Sequence, residues 1–364
     1  MPQITLRGIT KRFSNVTAAD DLNLIVKDRE YLCLLGPTGA GKTTTLRIIA
    51  GLTMPDLGTV HFDDRDVTSL EPEKRNAVLL SQTYSLFPTM TVAENILFGP
   101  EIRNMPAPEK EQLLVSLLDL VRLTKRADSY PWELSGGMQQ RNALARAIAT
   151  NPDVLLLDEP LRALDARLRI VLRKELRSLA KTIGLTVIHV THDQDEALVM
   201  ADRIAVIRAG RIVQIGTPQE IFNNPISPFV ANFVGQSNFF VGRVVTSGPN
   251  GSEVEDHLGR RMKARPTEVP LGAKVVVAVK VGHTRLLKFN VAKLRGTIER
   301  MLFEGRVVHV DVDVDGLGRF SAKIPASHRD RYHVGDKVGI GWGRSRAIVF
   351  PYPADGLENE LRVD

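Results

Sequence analysis

The stretch Gly36-Pro37-Thr38-Gly39-Ala40-Gly41-Lys42-Thr43 decides how this sequence folds, because it matches the complete G-x-x-x-x-G-K-[ST] pattern of a phosphate-binding loop. The apolar run Tyr31–Leu35 before it is typical of a buried strand, and Thr44–Ala50 after it has the look of a helix. Glycines let the backbone wrap closely around a polyphosphate, and the helix N-terminus adds a partial positive charge. In such a loop Lys42 reaches the β- and γ-phosphates, and the Thr43 hydroxyl binds Mg²⁺.

Length and composition describe an ordinary globular chain. Its 364 residues are enough for two domains, 43% of them are hydrophobic, and the formal net charge is +6. The charge is spread along the chain, so we interpret it as a solvated surface and predict no nucleic-acid partner. The single cysteine, Cys33, excludes an intramolecular disulfide and suits a reducing compartment. The N-terminus lacks an apolar signal core, and no apolar stretch is long enough to span a membrane.

Strand and helix patterns alternate through the first two thirds of the chain. Val154–Leu157, Thr186–Thr191 and Arg203–Ile207 are further buried-strand candidates, and Leu168–Ile183 has the apolar spacing of a helix. This alternation predicts an α/β fold with a mostly parallel sheet and helices on its faces. Residues 88–150 are mainly helical and indicate a helical subdomain inserted into it.

The pattern changes near residue 238, so we predict one domain over residues 1–237 and a small all-β domain over 238–364. Val308–Asp315 alternates with a period of two, and the apolar residues Phe320, Ala322 and Ile324 alternate in return after a glycine turn. We expect a hairpin with one wet face, on which the three aspartates at 311, 313 and 315 are solvated. The other short strands of this region indicate one small β-barrel or a pair of them.

Two further motifs narrow the chemistry. In Leu134–Arg141, Ser135 and two glycines precede a helix, which makes either an anion site or an ordinary N-cap. In Val154–Pro160, an apolar strand ends in two carboxylates. Beside a phosphate loop, Asp158 would hold a metal ion through water and Glu159 would polarise the attacking water. The alternative for these two acids is a strand end on which solvated carboxylates cluster.

The chain resembles an ATP-binding cassette (ABC) ATPase, specifically the nucleotide-binding subunit of a bacterial importer. The resemblance rests on the order of motifs, which are the loop at 36–43, Gln82, the LSGG signature at 134–138, the carboxylate strand at 154–159, Ala163-Leu164-Asp165 and Thr191-His192-Asp193. It implies a P-loop NTPase fold with an inserted helical subdomain. The C-terminal region resembles the regulatory TOBE-type (OB-like) barrels of maltose, polyamine, sulfate and ferric-iron importer ATPases.

The resemblance assigns roles to single residues. Phe13 would stack on adenine, although a core phenylalanine is the alternative; Asp165 would lie at a dimer interface. The implied catalytic residues are Lys42, Gln82, Glu159 and His192, with His192 on the γ-phosphate. The implied Mg²⁺ ligands are Thr43, Gln82 and Asp158. The implied ATP contacts, besides Phe13 and Asp165, are Gly36, Pro37, Thr38, Gly39, Ala40, Gly41, Lys42, Thr43, Thr44, Ser135, Gly136 and Gly137.

In the family, two cassettes meet head to tail, so Ser135 and Gly137 of one close on the ATP held by Lys42 of the other. The resemblance therefore implies ATP and Mg²⁺, a second ATPase subunit (the same chain or a paralogue), separate permease subunits and an external substrate-binding protein. It places the chain peripherally at the cytoplasmic face of the inner membrane. The solute would be a sugar or polyol, a polyamine or an inorganic ion.

Three other functions compete with the importer interpretation. They are a non-transport ABC ATPase of DNA repair or translation, an ATP-sensing module without turnover, and half of an exporter. The chain has no tandem cassette or long coiled coil, its Glu159 and His192 are present, and the barrel tail favours import.

The sequence departs from the family pattern at three places. Met138 stands where glutamine is usual, and Arg162 stands where serine is usual. Both departures touch the implied dimer interface and raise the possibility of a paralogous partner. In the barrels, Lys280-Val281-Gly282-His283 replaces the Arg-Pro-Glu of the sugar-importer group, which weakens a sugar assignment.

Overall fold

A computed structural model describes residues 1–81, 85–162 and 165–362. The chain divides into two compact units, Met1–Gln219 and Glu220–Val363. This division lies N-terminal to the change in sequence pattern at residue 238, on which the predicted domain boundary rests.

The first unit is α/β. Its strands are β1 (Ile4–Phe13), β2 (Val16–Val26), β3 (Tyr31–Leu35), β4 (Leu57–Phe62), β5 (Arg65–Asp66), β6 (Ala77–Leu80), β7 (Val154–Asp158), β8 (Thr186–Thr191), β9 (Arg203–Arg208) and β10 (Arg211–Gly216). Its helices are α1 (Lys42–Ala50), α2 (Val92–Ile102), α3 (Ala107–Leu120), α4 (Gly136–Ala149), α5 (Ala166–Thr182) and α6 (Gln194–Met200), and α7 (Pro218–Asn223) crosses the boundary between the units.

A six-stranded sheet in the order β10-β9-β3-β8-β7-β6 forms the centre of the first unit. Within it, β3 runs parallel to β8 and β9, and β7 runs parallel to β6 and β8; only the β9–β10 pair is antiparallel. Every residue of β3, β7 and β8 is buried, as expected for strands covered on both faces. The predicted α/β fold with a mostly parallel sheet is confirmed.

Parallel strands place their carboxyl ends at one edge of the sheet, and this edge carries the candidate site. The loop after β3, the carboxylates at the end of β7 and the turn after β8 all lie there. A second sheet, β2-β1-β4-β5, is antiparallel and shares one apolar core with α1 and the central sheet.

The predicted helical insertion is formed by α2, α3 and α4, which lie between β6 and β7 in the chain. Helix α2 begins with a capping box, since the Thr91 hydroxyl accepts from the Glu94 N–H and the Glu94 carboxylate accepts from the Thr91 N–H. Helix α4 begins directly after Ser135, so the LSGG motif forms its N-terminus.

The second unit is all-β apart from short helices. Its strands are β11 (Ser237–Gly248), β12 (Gly251–Glu255), β13 (Arg261–Ala264), β14 (Lys274–Lys280), β15 (Arg285–Leu287), β16 (Leu294–Phe303), β17 (Val307–Val314), β18 (Gly318–Pro325), β19 (Lys337–Gly341) and β20 (Ala347–Pro351), and its helices are α8 (Pro228–Phe233) and α9 (Leu357–Leu361). The strands form two antiparallel five-stranded sheets, β13-β12-β11-β14-β20 and β15-β19-β16-β17-β18, around one apolar core.

The predicted hairpin is β17–β18, in which Val310 pairs with Ala322 and Val312 with Phe320. Its alternating apolar residues are buried, but the prediction of three solvated aspartates is wrong for Asp311. That side chain is buried, accepts a hydrogen bond from Ser321 Oγ at 2.7 Å and pairs with Arg300 Nε at 2.9 Å. Asp311 therefore belongs to an internal ion pair, and the pairing holds its pKa below the usual range although burial opposes it.

Lys280 is one of the residues that depart from the sugar-importer pattern, and its side chain binds the main chain at the end of α8. Its ammonium is buried and donates to the main-chain oxygens of Ala231 at 2.6 Å, Gly235 at 2.7 Å and Val234. These carbonyls end α8, where a cation is favourable. Burial nevertheless lowers the pKa of Lys280 to about 7.

Among residues 1–81, 85–162 and 165–362, no helix combines the length and the apolarity needed to cross a bilayer.

Candidate active site

The phosphate loop owes its shape to glycine at two positions. Gly39 and Gly41 have φ of +81° and +97°, a region that side-chain-bearing residues rarely adopt. A Cβ atom on Gly41 would lie 1.8 Å from the main-chain oxygen of Ala18, so no other residue fits there. A Cβ on Gly39 would meet no atom within 4 Å, which leaves that side of the loop open to a ligand.

The loop presents unsatisfied backbone donors. In the described part of the chain, the N–H groups of Gly39, Gly41, Lys42 and Thr43 donate to no protein acceptor. The first turn of α1 has no internal partners for its N–H groups, and its dipole is positive at this end. The loop and the start of α1 therefore form a site for an anion such as a polyphosphate.

Lys42 is held inside the loop. Its ammonium is buried and donates to the main-chain oxygens of Gly36 and Pro37, both at 2.7 Å. Burial lowers the pKa of Lys42, while the nearby carboxylates of Asp158 and Glu159 oppose that shift. A cation held by two weak neutral acceptors is well suited to exchange them for phosphate oxygens.

Thr43 and Asp158 meet at the end of the sheet. The Thr43 hydroxyl donates to Asp158 Oδ1 at 3.0 Å, and the carboxylate is buried. Burial raises the pKa of Asp158, and the Thr43 hydrogen bond and the Lys42 charge only partly offset it. A hydroxyl and a carboxylate side by side are the oxygen ligands that Mg²⁺ takes when phosphates and water complete its shell. Among the described residues, no three His, Cys, Asp or Glu side chains form a metal site of their own.

Glu159 follows Asp158 in a strained conformation, with φ of +49°. Its N–H donates to the main-chain oxygen of Val190 at 3.0 Å, which fixes the turn beside β8. Its Oε1 lies 3.0 Å from Nδ1 of His192, whose ring is half exposed. The structure thus brings the predicted water-polarising acid and the predicted phosphate-contacting histidine into direct contact.

The turn that carries His192 is held by hydrogen bonds of residues that the sequence analysis did not single out. The buried Thr191 hydroxyl donates to Glu196 at 2.7 Å and accepts from the Asp193 N–H at 3.0 Å. Asp193 in turn caps α6 and accepts from Arg173 at 2.6 Å. These bonds hold the turn from which His192 projects.

Arg162, which the sequence analysis noted only as a departure from the family's usual serine, contacts Glu159. Its Nη1 donates to Glu159 Oε2 at 2.9 Å, so the carboxylate is bonded at both oxygens. A small cavity of about 110 Å³ lies beside this cluster and is lined by Glu159, Arg162, Arg169 and His192, among others.

The signature residues form a separate exposed patch. Ser135 caps α4, since its Oγ accepts from the Met138 N–H at 3.4 Å. Ser135 and Gly136 are exposed, and a Cβ on Gly136 would meet no atom within 4 Å. Ser135 bonds to Met138 and Gln139 of its own helix and makes no hydrogen bond to Lys42 within one chain.

Of the remaining predicted site residues, Phe13 and Asp165 are exposed to solvent. Phe13 ends β1 and is half exposed, with Lys11 Nζ 5.4 Å from its ring centre, so it is not a core residue. Asp165 is exposed, and its main-chain oxygen accepts from Arg169 at 2.9 Å. Gln82 lies outside the described residues.

Comparison with known proteins agrees with this geometry. A family model described as ABC transporter matches residues 19–162. A protein of Thermobifida fusca named spermidine/putrescine import ATP-binding protein PotA is 38% identical, over 96% of this chain and 94% of its own length. The chain belongs to the ABC transporter family. Consistent with membership as an ABC import ATPase, a TOBE domain model matches residues 283–350.

Further relatives support the same family assignment. A sulfate/thiosulfate import ATP-binding protein, CysA 2 of Chromobacterium violaceum, is 50% identical over 65% of this ABC ATPase and 64% of its own length. A solved dimeric structure of the ATP-binding cassette MJ0796, in a post-hydrolysis state with ADP and Pi, is 31% identical with a TM-score of 0.54. It covers 59% of this chain and 98% of that one. The predicted ATPase fold and an ATP-hydrolysing activity coupled to transport are thereby confirmed.

Proposed function

We propose that this chain is the motor subunit of an importer in which two cassettes meet head to tail, each ATP lying between the phosphate loop of one and the signature of the other. The observation that carries the proposal is the convergence at one sheet edge. There Thr43 contacts Asp158, and Glu159 contacts His192 at 3.0 Å. The exposed Ser135 patch at the start of α4 supports the second cassette.

Lys42 and the free N–H groups of the loop bind the phosphates of ATP. The lysine exchanges the Gly36 and Pro37 carbonyls for phosphate oxygens, which replaces two neutral acceptors by charged ones. Thr43 and Asp158 would hold Mg²⁺, with Gln82 as a further ligand. When bound, Mg²⁺ supplies positive charge to the phosphate oxygens.

Glu159 orients the attacking water and accepts its hydrogen bond, and the turn after β8 keeps His192 beside it. Because phosphoryl transfer depends on positioning and charge stabilisation, fixed placement is what these residues contribute. The buried network under Thr191 and Asp193 maintains that placement. Phe13, half exposed at the end of β1, offers an aromatic face to adenine.

The chain would work with separate permease subunits at the cytoplasmic face of the inner membrane, where a substrate-binding protein outside supplies the solute. The second ATPase is a further copy or a paralogue. Relatives that match over at least 92% of this chain include spermidine/putrescine import ATP-binding proteins, which supports a polyamine. The sulfate/thiosulfate relative supports an inorganic anion as the second candidate.

The experiment compares Glu159→Gln with the parent chain. The variant should bind ATP with unchanged affinity, lose steady-state hydrolysis and accumulate as a nucleotide-bound dimer by light scattering. Glu111→Gln, an exposed glutamate on α3, is the matched control and should hydrolyse ATP normally. Undiminished hydrolysis by Glu159→Gln would remove the residue from its proposed role.

The solute is tested by expressing the chain with its permease subunits. Uptake of labelled spermidine that stops with Glu159→Gln would support the polyamine, and uptake of labelled sulfate instead would support the anion.

A further inference from the structure

Both oxygens of the Glu159 carboxylate are occupied in this structure. Oε1 contacts His192 Nδ1 at 3.0 Å, and Oε2 accepts from Arg162 Nη1 at 2.9 Å. The carboxylate is nearly shielded, with 12% of the side chain exposed, whereas 63% of the Arg162 side chain is exposed. The arginine therefore reaches from the surface back onto the acid.

The backbone supports this contact. Arg162 lies three residues after Glu159, and its N–H donates to the Glu159 main-chain oxygen at 3.3 Å, so the two residues share one turn. The Arg162 oxygen in turn accepts from the guanidinium of Arg169 at 3.5 Å, which ties the turn to α5. The usual serine at this position carries no positive charge and could not form this ion pair with Oε2.

We propose that Arg162 is a positioning residue that holds Glu159 in a resting arrangement, so that the cassette hydrolyses ATP slowly until the guanidinium moves away. The inference rests on the proposed function, in which Glu159 orients the attacking water. A carboxylate oxygen that already accepts a charge-assisted hydrogen bond is a poorer acceptor for the hydrogen of water.

The contact is suited to release. Ion pairs with an exposed partner contribute little to stability, so little free energy holds the arginine in place. A guanidinium binds anionic oxygens in a two-point geometry, so an anionic group that the partner cassette brings to the interface competes with Glu159 for it. Arg162 thus couples the freedom of the acid to the presence of the partner.

The test measures steady-state ATP hydrolysis by the purified full chain without permease subunits. Arg162→Ser should raise kcat roughly threefold, which corresponds to about 0.65 kcal/mol, and leave the KM for ATP unchanged. Arg162→Lys keeps a cation and should stay near the parent rate. Arg167→Ser, which removes an exposed arginine near the start of α5, is the control and should not change kcat.

A lower or unchanged kcat in Arg162→Ser, or an equal rise in Arg167→Ser, would overturn the inference. Binding of a fluorescent ATP analogue to each variant checks that the phosphate loop is folded, and Arg162→Ala gives a second uncharged side chain. Glu159→Gln, measured in parallel, separates the two claims. If Glu159→Gln does not hydrolyse ATP while Arg162→Ser has the kcat of the parent, only the inference about Arg162 fails. If Glu159→Gln hydrolyses ATP at the parent rate, the proposed function fails.

Discussion

Thr43 and Asp158 are 115 residues apart, yet the hydroxyl of one donates to the carboxylate of the other at 3.0 Å. The parallel strands explain this contact, since β3 and β7 both border β8 and end at the same edge of the sheet. Among the residues that the structure describes, no other side-chain hydrogen bond joins the phosphate loop to the carboxylate strand.

Asp158→Asn should reduce kcat by about 100-fold or more, because the amide keeps the shape but loses the charge that neutralises a divalent cation. Binding of ATP without metal should be retained. The measurement is hydrolysis at a series of Mg²⁺ concentrations. Asp153→Asn, one residue before the same strand, is the control, and an Asp158→Asn variant with the parent's Mg²⁺ dependence would contradict the metal role.

The same residue predicts a pH dependence. Burial raises the pKa of Asp158, so the carboxylate takes up a proton at a higher pH than an exposed aspartate does. Because only the ionised form binds the metal, Mg²⁺ affinity should fall on acidification from a higher pH than in a solvent-exposed site. Titration calorimetry of Mg²⁺ into the ATP complex measures this. The part of the pH dependence that is due to the carboxylate should be absent in Asp158→Asn.

Lys42→Ala should weaken ATP binding by about 100-fold, because it removes a charged donor from the phosphate site. A fluorescent ATP analogue measures the affinity. Lys74→Ala, an exposed lysine of the same unit, is the control and should bind normally. Parent affinity in Lys42→Ala would show that the loop binds nucleotide without this residue.

Lys280 predicts the pH dependence of the second unit. Its pKa is about 7 in the folded protein and near 10.5 when unfolded, so between these values the unfolded chain binds more protons. The free energy of unfolding should therefore rise with pH over this window, by up to about 1.4 kcal/mol per unit. In Lys280→Met this rise should be lost.

The chain allows a clean readout, because its two tryptophans lie in different units. In a Trp132→Phe background, Trp342 fluorescence follows thermal unfolding of the second unit from pH 7 to 9.5. Equal pH slopes with and without Lys280→Met would show that the lysine keeps its ordinary pKa.

Much of the fold could be predicted because its signals are local. The run Tyr31–Leu35 is buried on both faces and coincides with β3, and the alternation in 308–314 coincides with β17. The meeting of Thr43 with Asp158 follows from the parallel order alone. These features depend on the hydrophobic pattern, which can be read from the sequence, and on strand direction, which the alternation of strands and helices predicts.

The contacts of single charged side chains could not be predicted. The motif at 158–162 gives no sign that Arg162 turns back onto Glu159, since an arginine side chain at a turn has many directions open to it. Asp311 looked solvated because its neighbours alternate, but Arg300 and Ser321 from adjacent strands enclose it. Such partners depend on the register between strands and on rotamers, which no local pattern encodes.

The most direct test of the central claim is a cysteine cross-link across the proposed dimer. The natural cysteine, Cys33, is buried, so Thr38→Cys in the phosphate loop and Ser135→Cys in the signature can be placed in separate Glu159→Gln chains and mixed. With Mg²⁺ and ATP, a disulfide should join one Thr38→Cys chain to one Ser135→Cys chain, and it should be absent without nucleotide. Cross-links that form only between identical variants, or none with ATP, would contradict the head-to-tail clamp.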